Sequence, residues 1–204
     1  SETFPIVINS NANAGTYTLT IKPASGNTAT ISGTSLTTII KLNGVDRVTI
    51  DGSNNGSSSQ NLTIVNNESS TTIDTAVIWS SSTATDGATD NTFKNLIIKG
   101  QAPGSTLAGI AVSGATIGAA AAIANTNTVI TNNNISKSYY GVVVAGPTAG
   151  QTGTVISNNT IGSATAADYI GNTGLFVANT NGATVSNNNI FNILTTETNP
   201  TGIY

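Results

Sequence analysis

Short runs of alternating apolar and polar residues, separated by clusters of Gly, Asn, Asp and Ser, fill the first half of the chain. In Thr16–Ile21 (TYTLTI), Tyr17, Leu19 and Ile21 fall on one face, which is typical of a half-buried strand. The loop Asp51–Gln60 (DGSNNGSSSQ) separates two of the later runs. The same pattern predicts further strands at Ile6–Val7, Ala29–Ile31, Thr38–Leu42, Val48–Ile50, Leu62–Val65 and Ala76–Trp79.

A nine-residue pattern of apolar residues and asparagines recurs in the second half. NTVITNNNI (Asn127–Ile135) returns as GTVISNNTI (Gly153–Ile161) and as GATVSNNNI (Gly182–Ile190), and NTFKNLII (Asn91–Ile98) fits the same alignment. The alignment gives one asparagine column and two apolar columns. The asparagine column consists of Asn95, Asn132, Asn158 and Asn187. The first apolar column consists of Phe93, Ile130, Ile156 and Val185, and the second of Ile98, Ile135, Ile161 and Ile190.

A second strand type alternates with this repeat. It reads Gly109–Val112, Gly141–Val144, Gly174–Val177 and Gly202–Tyr204, and its glycines are 32, 33 and 28 residues apart. Two strand types that share a period of about thirty residues indicate a solenoid. We therefore predict an all-β fold, a parallel β-helix of roughly six to seven coils, as a single domain over residues 1–204.

The asparagine column predicts an Asn ladder at the turns between strands. Asparagine tolerates the left-handed backbone of a tight turn, and its side-chain amide can bond to the equivalent amide one coil away. We expect Asn95, Asn132, Asn158 and Asn187 to form this ladder, with their neighbours Asn133 and Asn159 free to face outward. The columns of Ile130 and Ile135 are expected to build the core.

Composition narrows the function classes. Only 7% of the residues are charged and the net charge is −3, whereas a nucleic-acid surface needs clustered cations. Cys, His and Met are absent, so there is no disulfide framework and no soft metal ligand. No apolar stretch is long enough to insert into a membrane. We expect no cofactor and no metal, and a secreted or cell-surface location, to which a chain without oxidisable sulfur is suited.

The columns resemble the parallel β-helix repeats of the pectin-lyase-like superfamily. More closely, YTLTIKPASGNTATISG, IIKLNGVDRVTIDGSNNG and NTFKNLIIKG are similar to β-helical modules of large secreted and surface proteins of the Bacteroidetes type. The resemblance covers nearly the whole chain and implies a right-handed β-helix. It also implies two alternatives for function, because such modules occur in adhesin-like chains, whereas some superfamily members are polysaccharide lyases or hydrolases.

The enzyme alternative needs clustered carboxylates or cations on one sheet. Asp46 and Asp51 flank one strand, but each lies beside a glycine turn, which favours a structural role. Trp79, Tyr139 and Tyr140 are candidates for a sugar-stacking platform or for packing at a corner. The remaining charged candidates are Arg47, Asp74, Asp86, Asp90, Lys94, Lys99, Lys137, Asp168 and Glu197.

Two further surface features depend on threonines. Asp74-Thr75-Ala76 resembles the O-glycosylation acceptor of the same bacterial group, which makes Thr75 a possible glycan site. Flat threonine arrays on β-solenoids bind ice, and the outward threonines here would be Thr16, Thr18, Thr20, Thr128 and Thr154. Only the first of these strands has the required Thr-x-Thr, so the pattern does not favour ice binding.

The ends of a β-helix are open sheet edges that invite pairing. We therefore predict a non-enzymatic structural or adhesion module that assembles head to tail, with copies of itself or neighbouring modules as partners and surface glycans as a further partner class. The alternative is a carbohydrate-binding or polysaccharide-degrading β-helix. The expected assembly edges are Phe4, Ile6, Tyr17, Leu19, Ile21, Leu175, Val177, Ile203 and Tyr204.

Overall fold

The computed structural model describes residues 2–10, 17–194 and 200–204. Three parallel sheets run along the molecule, and the chain visits them in turn. The predicted all-β parallel β-helix is confirmed. The described chain makes about five turns, fewer than the six to seven coils expected. Ala166–Asp168 forms a 3₁₀ turn.

The first sheet has seven strands in the order β1-β4-β7-β10-β13-β17-β21. Their bounds are β1 Ile6–Asn9, β4 Ile40–Asn43, β7 Thr75–Ser81, β10 Thr106–Ser113, β13 Tyr140–Ala145, β17 Thr173–Ala178 and β21 Thr201–Ile203. Alternate side chains of these strands face the interior, which gives the apolar pattern its period of two.

The second and third sheets have six strands each. The second consists of β2 Leu19–Ile21, β5 Val48–Asp51, β8 Thr92–Lys94, β11 Val129–Thr131, β15 Val155–Ser157 and β19 Thr184–Ser186. The third consists of β3 Ala29–Gly33, β6 Leu62–Asn66, β9 Leu96–Lys99, β12 Asn134–Ser136, β16 Thr160–Ile161 and β20 Asn189–Ile190. A short pair, β14 Gln151–Thr152 and β18 Thr180–Asn181, lies outside the three sheets.

The strand register reproduces the columns read from the repeat. Ile130 pairs with Phe93 on one side and Ile156 on the other, and Val185 follows Ile156. In the third sheet, the second apolar column is also paired strand by strand and runs through Ile98, Ile135, Ile161 and Ile190. Stacking identical or similar side chains one coil apart builds a continuous core, and its central members are fully buried.

A column of glycines in the first sheet makes room for the isoleucines of the third. A methyl group added at Gly109, Gly141 or Gly174 would overlap the Cγ2 atom of an isoleucine from the third sheet. The three partners are Ile135, Ile161 and Ile190. At Gly202, in the last strand, nothing lies within 4 Å of that position. The glycine repeat is thus a packing device, and the last glycine faces open space.

Candidate functional site

The buried asparagine ladder lies one position after the predicted one. The side-chain amide of Asn133 donates to Oδ1 of Asn159 at 3.0 Å, and that of Asn159 donates to Oδ1 of Asn188 at 2.9 Å. Asn133 and Asn159 are buried, so the expectation that they face outward is wrong. The Oδ1 atoms of Asn133, Asn159 and Asn188 also accept hydrogen bonds from main-chain N–H groups one coil earlier. The donors are Leu96, Asn133 and Asn159, respectively.

The predicted column forms the corner itself. Asn95, Asn132, Asn158 and Asn187 have φ values of 59°, 54°, 56° and 54°, in the left-handed region that asparagine tolerates. This conformation turns the chain from the second sheet into the third, so that the following residue points inward. Asn132 donates to Oδ1 of Asn95 at 2.8 Å, which is one step of the expected ladder. Asn158 and Asn187 are exposed.

The loop over residues 53–60 covers part of this corner. Asn132 Nδ2 donates to the Ser58 carbonyl at 2.9 Å, and Gln60 Nε2 donates to the Asn132 carbonyl at 2.7 Å. Asn95 Nδ2 reaches the Ser57 carbonyl at 3.2 Å. The loop therefore fastens two successive coils.

Asp46 and Asp51 both serve local structure. Oδ1 of Asp46 accepts from the main-chain N–H and the hydroxyl of Thr89, at 2.8 and 2.7 Å. Asp51 forms an ion pair with Lys94 at 3.2 Å and accepts from Asn95. Burial works to raise the pKa of Asp51, but hydrogen bonds from Asn95 and the Ser53 N–H and the charge of Lys94 together lower it below its usual value.

The other carboxylates are dispersed. Asp90 Oδ1 accepts from Asn127 at 2.8 Å, and Asp168 pairs with Lys137 at 3.6 Å. Asp74 is exposed beside β7, and the Asp86 carbonyl closes a turn with Thr83. Arg47 takes a left-handed backbone and donates to the Tyr17 carbonyl, Lys99 is half-buried in β9, and Glu197 lies outside the described residues. Within the described ranges no three acidic side chains converge as a metal site would require.

The aromatic candidates belong to two separate places. Trp79 is buried, donates from Nε1 to Ser113 Oγ at 3.0 Å, and carries the Lys41 ammonium 4.0 Å above its ring. Partial burial lowers the pKa of Lys41. Tyr139 and Tyr140 meet edge to face at 4.9 Å, two strands further along the first sheet.

Tyr140 belongs to an aromatic groove that the sequence pattern did not reveal. Its ring lies 5.8 Å from Phe176, and Phe176 stacks on Tyr204 at 5.1 Å with 5° between the planes. Burial, and then the neighbouring Tyr139, raise the pKa of the Tyr140 hydroxyl. Asn172, Thr173 and Thr201 complete a groove of about 340 Å³. Its members come from three coils, and the glycine repeat that aligns Gly174–Val177 with Gly202–Tyr204 was the available signal for the pair Phe176 and Tyr204.

Three of the described threonine candidates are buried and two are at the surface. Thr75 is fully buried and donates to the Ser105 carbonyl at 3.1 Å, so the folded chain has no space for a glycan on this hydroxyl. Thr128 and Thr154 are buried as well, which contradicts their expected outward position. Thr18 and Thr20 are exposed, and Thr16 lies outside the described residues.

Apolar surface is concentrated on the two terminal coils. Leu19 is 42% exposed, although its column neighbour Val48 is fully buried. Ile203 is 55% exposed, although its neighbour Leu175 is fully buried. Of the predicted assembly edges, Leu175 is thus covered by β21. The others are exposed or half-buried: Phe4, Ile6, Tyr17, Leu19, Ile21, Val177, Ile203 and Tyr204.

Comparisons with family models, with curated proteins and with solved structures gave no match to the chain. A helix of the length and hydropathy needed to cross a membrane does not occur in the described residues.

Proposed function

We propose that this chain is a non-enzymatic, extracellular structural or adhesion module that associates end to end through its terminal coils. The observation that carries the proposal is the exposure of interior columns at both ends, where Leu19 and Ile203 present apolar side chains to solvent. Exposed sheet edges that also carry apolar side chains are pairing sites. The resemblance to right-handed pectin-lyase-like modules of Bacteroidetes-type surface proteins supports the same function.

The two ends are complementary because the columns repeat. A second copy placed below β19 and β20 would set its Ile21 against Val185 and its Ile31 against Ile190. Inside the molecule the same columns pair Ile21 with Ile50 and Ile31 with Ile64. A contact of this head-to-tail type does not close on itself and generates a filament.

Sedimentation velocity and electron microscopy over a range of concentrations test the proposal. We expect the mass to rise with concentration and elongated particles to appear. Leu19→Asp should abolish the association, because it places a charge in the end contact. Ile123→Asp is the matched control, since Ile123 is exposed to a similar extent (39%) but lies in a loop on the side of the solenoid. Equal effects of both substitutions, or a monomer at every concentration, would refute the proposal.

Carbohydrate binding is a second candidate function, favoured by the aromatic groove of Tyr140, Phe176 and Tyr204. Stacked rings beside hydroxyl and amide groups suit the apolar face and the hydroxyls of a sugar. Titration with soluble oligosaccharides, followed by tyrosine fluorescence, tests it. Binding should be lost in Phe176→Ala and retained in Ile73→Ala, which alters an exposed side chain in a different loop. Absence of saturable binding would exclude this candidate.

A further inference from the structure

The loop that follows β5 spaces its side-chain oxygens as a calcium-binding loop does. Counting from Asp51, the residues Ser53, Asn55 and Ser59 hold positions 3, 5 and 9, and Gly56 holds position 6. Calcium loops of the EF-hand type place oxygen ligands at positions 1, 3, 5 and 9, and a glycine at position 6, where the chain turns sharply. Gly56 has a φ of 76°, in the left-handed region that such a turn needs.

The loop departs from that pattern at position 12. In an EF-hand this position carries a glutamate that completes the site, whereas here it is Leu62, which is buried in β6. The spacing is therefore only a weak signal, and the positions of the oxygen atoms decide whether they can share an ion.

Three of these oxygens form a triangle. Ser53 Oγ lies 2.9 Å from Asn55 Oδ1 and 3.3 Å from Ser59 Oγ, and Ser59 Oγ lies 3.0 Å from Asn55 Oδ1. Two ligands held about 2.4 Å from one Ca²⁺ ion are about 2.8 Å apart in a pentagonal ring and about 3.4 Å apart at a right angle. The three separations fall inside this range, so the triangle has the dimensions of one face of a calcium coordination shell.

The Oδ1 atom of Asn55 is surrounded by more donors than it can accept from. The N–H and the hydroxyl of Ser57 lie 3.0 and 2.6 Å away, in addition to the hydroxyls of Ser53 and Ser59. An amide oxygen has two lone pairs, whereas a hydroxyl can donate or accept. The surplus hydroxyls can therefore turn their lone pairs toward a cation that they share with Asn55. Ser53 is only 2% exposed, which keeps its oxygen in place.

The carboxylate of Asp51 stands at the start of the loop. Its Oδ1 atom accepts hydrogen bonds from the Ser53 N–H at 2.9 Å and from Asn95 Nδ2 at 2.6 Å, and the same Nδ2 donates to the Ser57 carbonyl at 3.2 Å. Because one amide nitrogen reaches both oxygens, positions 1 and 7 of the loop lie side by side. Both positions supply ligands in a calcium loop of this spacing.

We propose that this loop binds a Ca²⁺ ion through Asp51, Ser53, Asn55 and Ser59, with water molecules completing the coordination shell. Three of these four ligands are neutral, so the site differs from a cluster of three acidic side chains, which the described residues lack. Ca²⁺ accepts carboxylate, amide and water oxygens in a flexible geometry, whereas Mg²⁺ demands a near-ideal octahedron and gives up its water reluctantly. Unequal separations of 2.9, 3.0 and 3.3 Å therefore favour Ca²⁺.

The charges around the site set a weak affinity. The four ligands include a single carboxylate, and the Lys94 ammonium lies 3.2 Å from Oδ2 of Asp51. Calcium affinity falls with the number of charged ligands, and extracellular modules bind with dissociation constants on the order of 10⁻⁴–10⁻³ M. We expect a dissociation constant of about 1 mM. Its match to a location outside the cell rests on the proposed function, whereas the binding itself does not.

The ion would stiffen a connection between coils on the side of the solenoid. The carbonyls of Ser57 and Ser58 accept hydrogen bonds from Asn95 and Asn132, and Gln60 donates to the Asn132 carbonyl. These groups belong to the loop that supplies the calcium ligands. Binding of Ca²⁺ fixes the conformation in which the loop reaches the next two coils, so calcium should also protect the loop from proteolysis.

Calcium titration of the full, chelator-treated chain, followed by NMR of the main-chain amides, tests the proposal. The resonances of residues 52–60 should shift and saturate with a midpoint of about 1 mM Ca²⁺, and Mg²⁺ should act at least about tenfold more weakly. The alanine-rich loop of residues 114–124 has no side-chain carboxylate or amide, so its resonances should stay in place. Resonances of residues 52–60 that do not move up to about 20 mM Ca²⁺, or that move no more than those of residues 114–124, would overturn the proposal.

Two variants with the same net charge locate the ion. Asn55→Asp converts a neutral ligand into a charged one and should tighten Ca²⁺ binding at least about tenfold. Ser58→Asp adds the same charge to the same loop at position 8, which is not a ligand position, and should change the affinity less than about threefold. Circular dichroism checks that both variants fold. Equal tightening in the two would show that Ca²⁺ responds only to the charge of the loop, and would refute the site.

Lys94→Gln tests the part of Asp51, because it removes the cation that lies beside this carboxylate. We expect Ca²⁺ to bind about three- to tenfold more tightly at low ionic strength, with a smaller gain as salt screens the charges. An unchanged dissociation constant would show that Asp51 is not a ligand and would overturn the proposed ligand set. The loop joins β5 to β6 on the side of the solenoid, so these outcomes do not depend on whether the chain associates end to end.

Discussion

The buried side-chain amide of Asn133 donates to the buried Oδ1 atom of Asn159, one coil further along, at 3.0 Å. Asn133 also donates to the Phe93 carbonyl at 3.0 Å, so both of its amide hydrogens are used. Asn159 repeats the arrangement toward Asn188 and Ile130. The three coils that carry Asn133, Asn159 and Asn188 are therefore joined by side-chain hydrogen bonds inside the solenoid as well as by the sheets.

We expect Asn159→Gly to lower the free energy of unfolding by about 2–3 kcal/mol, since it leaves the N–H of Asn133 and the Ile130 carbonyl without their partner in the interior. Urea unfolding measures the change. The matched control is Asn158→Gly, because Asn158 is exposed and its φ of 56° suits glycine. It should change stability by less than about 0.5 kcal/mol. A larger effect at position 158 than at 159 would contradict the ladder.

The sequence predicted the columns of the fold but placed the ladder one residue too early. The repeat alignment fixes which residues stack, and the register agrees with it at Phe93, Ile130 and Ile156. The alignment does not fix which asparagine faces inward, because a residue with a left-handed backbone at the corner reverses the alternation of inward and outward side chains. Leu96 was the available signal: it stands in the column of Asn133, and an apolar member indicates an interior column.

The complete aromatic groove and the number of strands in each sheet needed the structure. The glycine repeat aligns Phe176 with Tyr204, but Tyr140 lies just before Gly141 and in a different column, so its approach to Phe176 could not be read from the alignment. Strand counts per sheet follow from which runs pair, and short runs such as Thr160–Ile161 carry too few residues to be recognised alone.

The glycine column should tolerate a methyl group only at its open end. We expect Gly141→Ala to destabilise the chain by about 1–3 kcal/mol, because the new methyl group overlaps Cγ2 of Ile161 and approaches the Gly174 carbonyl. Gly202→Ala is the same substitution in the same column with nothing within 4 Å, and should be near neutral. Thermal unfolding measures the stability of both variants. Equal losses of stability would show that the glycine column does not set the spacing of the sheets.

The stability of the fold should depend on pH through the ionisation of Asp51. The pKa of Asp51 in the folded chain lies below the usual value of an aspartate side chain. The carboxylate therefore adds stability above that usual value, and the contribution is lost as the pH falls through the folded pKa. Asp51→Asn should therefore lower the melting temperature at pH 6, and its difference from the parent chain should shrink below about pH 4.

Asp74→Asn is the control for this pH series, because Asp74 is exposed. It should alter the melting temperature little at any pH. A difference between Asp51→Asn and the parent chain that stays constant down to pH 2.5 would show that the charge of Asp51 does not contribute to folding.

The isoleucine column of the third sheet should show a gradient of stability along the solenoid. Ile161→Ala is expected to cost about 2–5 kcal/mol, because Ile161 is fully buried between Ile135 and Ile190. Ile190→Ala removes the same atoms from the half-buried end of the column and should cost less than half as much in dilute solution. Because a docked copy would bury Ile190, its cost should rise with protein concentration while that of Ile161 stays fixed. Urea unfolding at two protein concentrations, at least about a hundredfold apart, distinguishes the two sites. If the chain oligomerises but the effect of Ile190→Ala does not change with protein concentration, the contact between copies lies elsewhere.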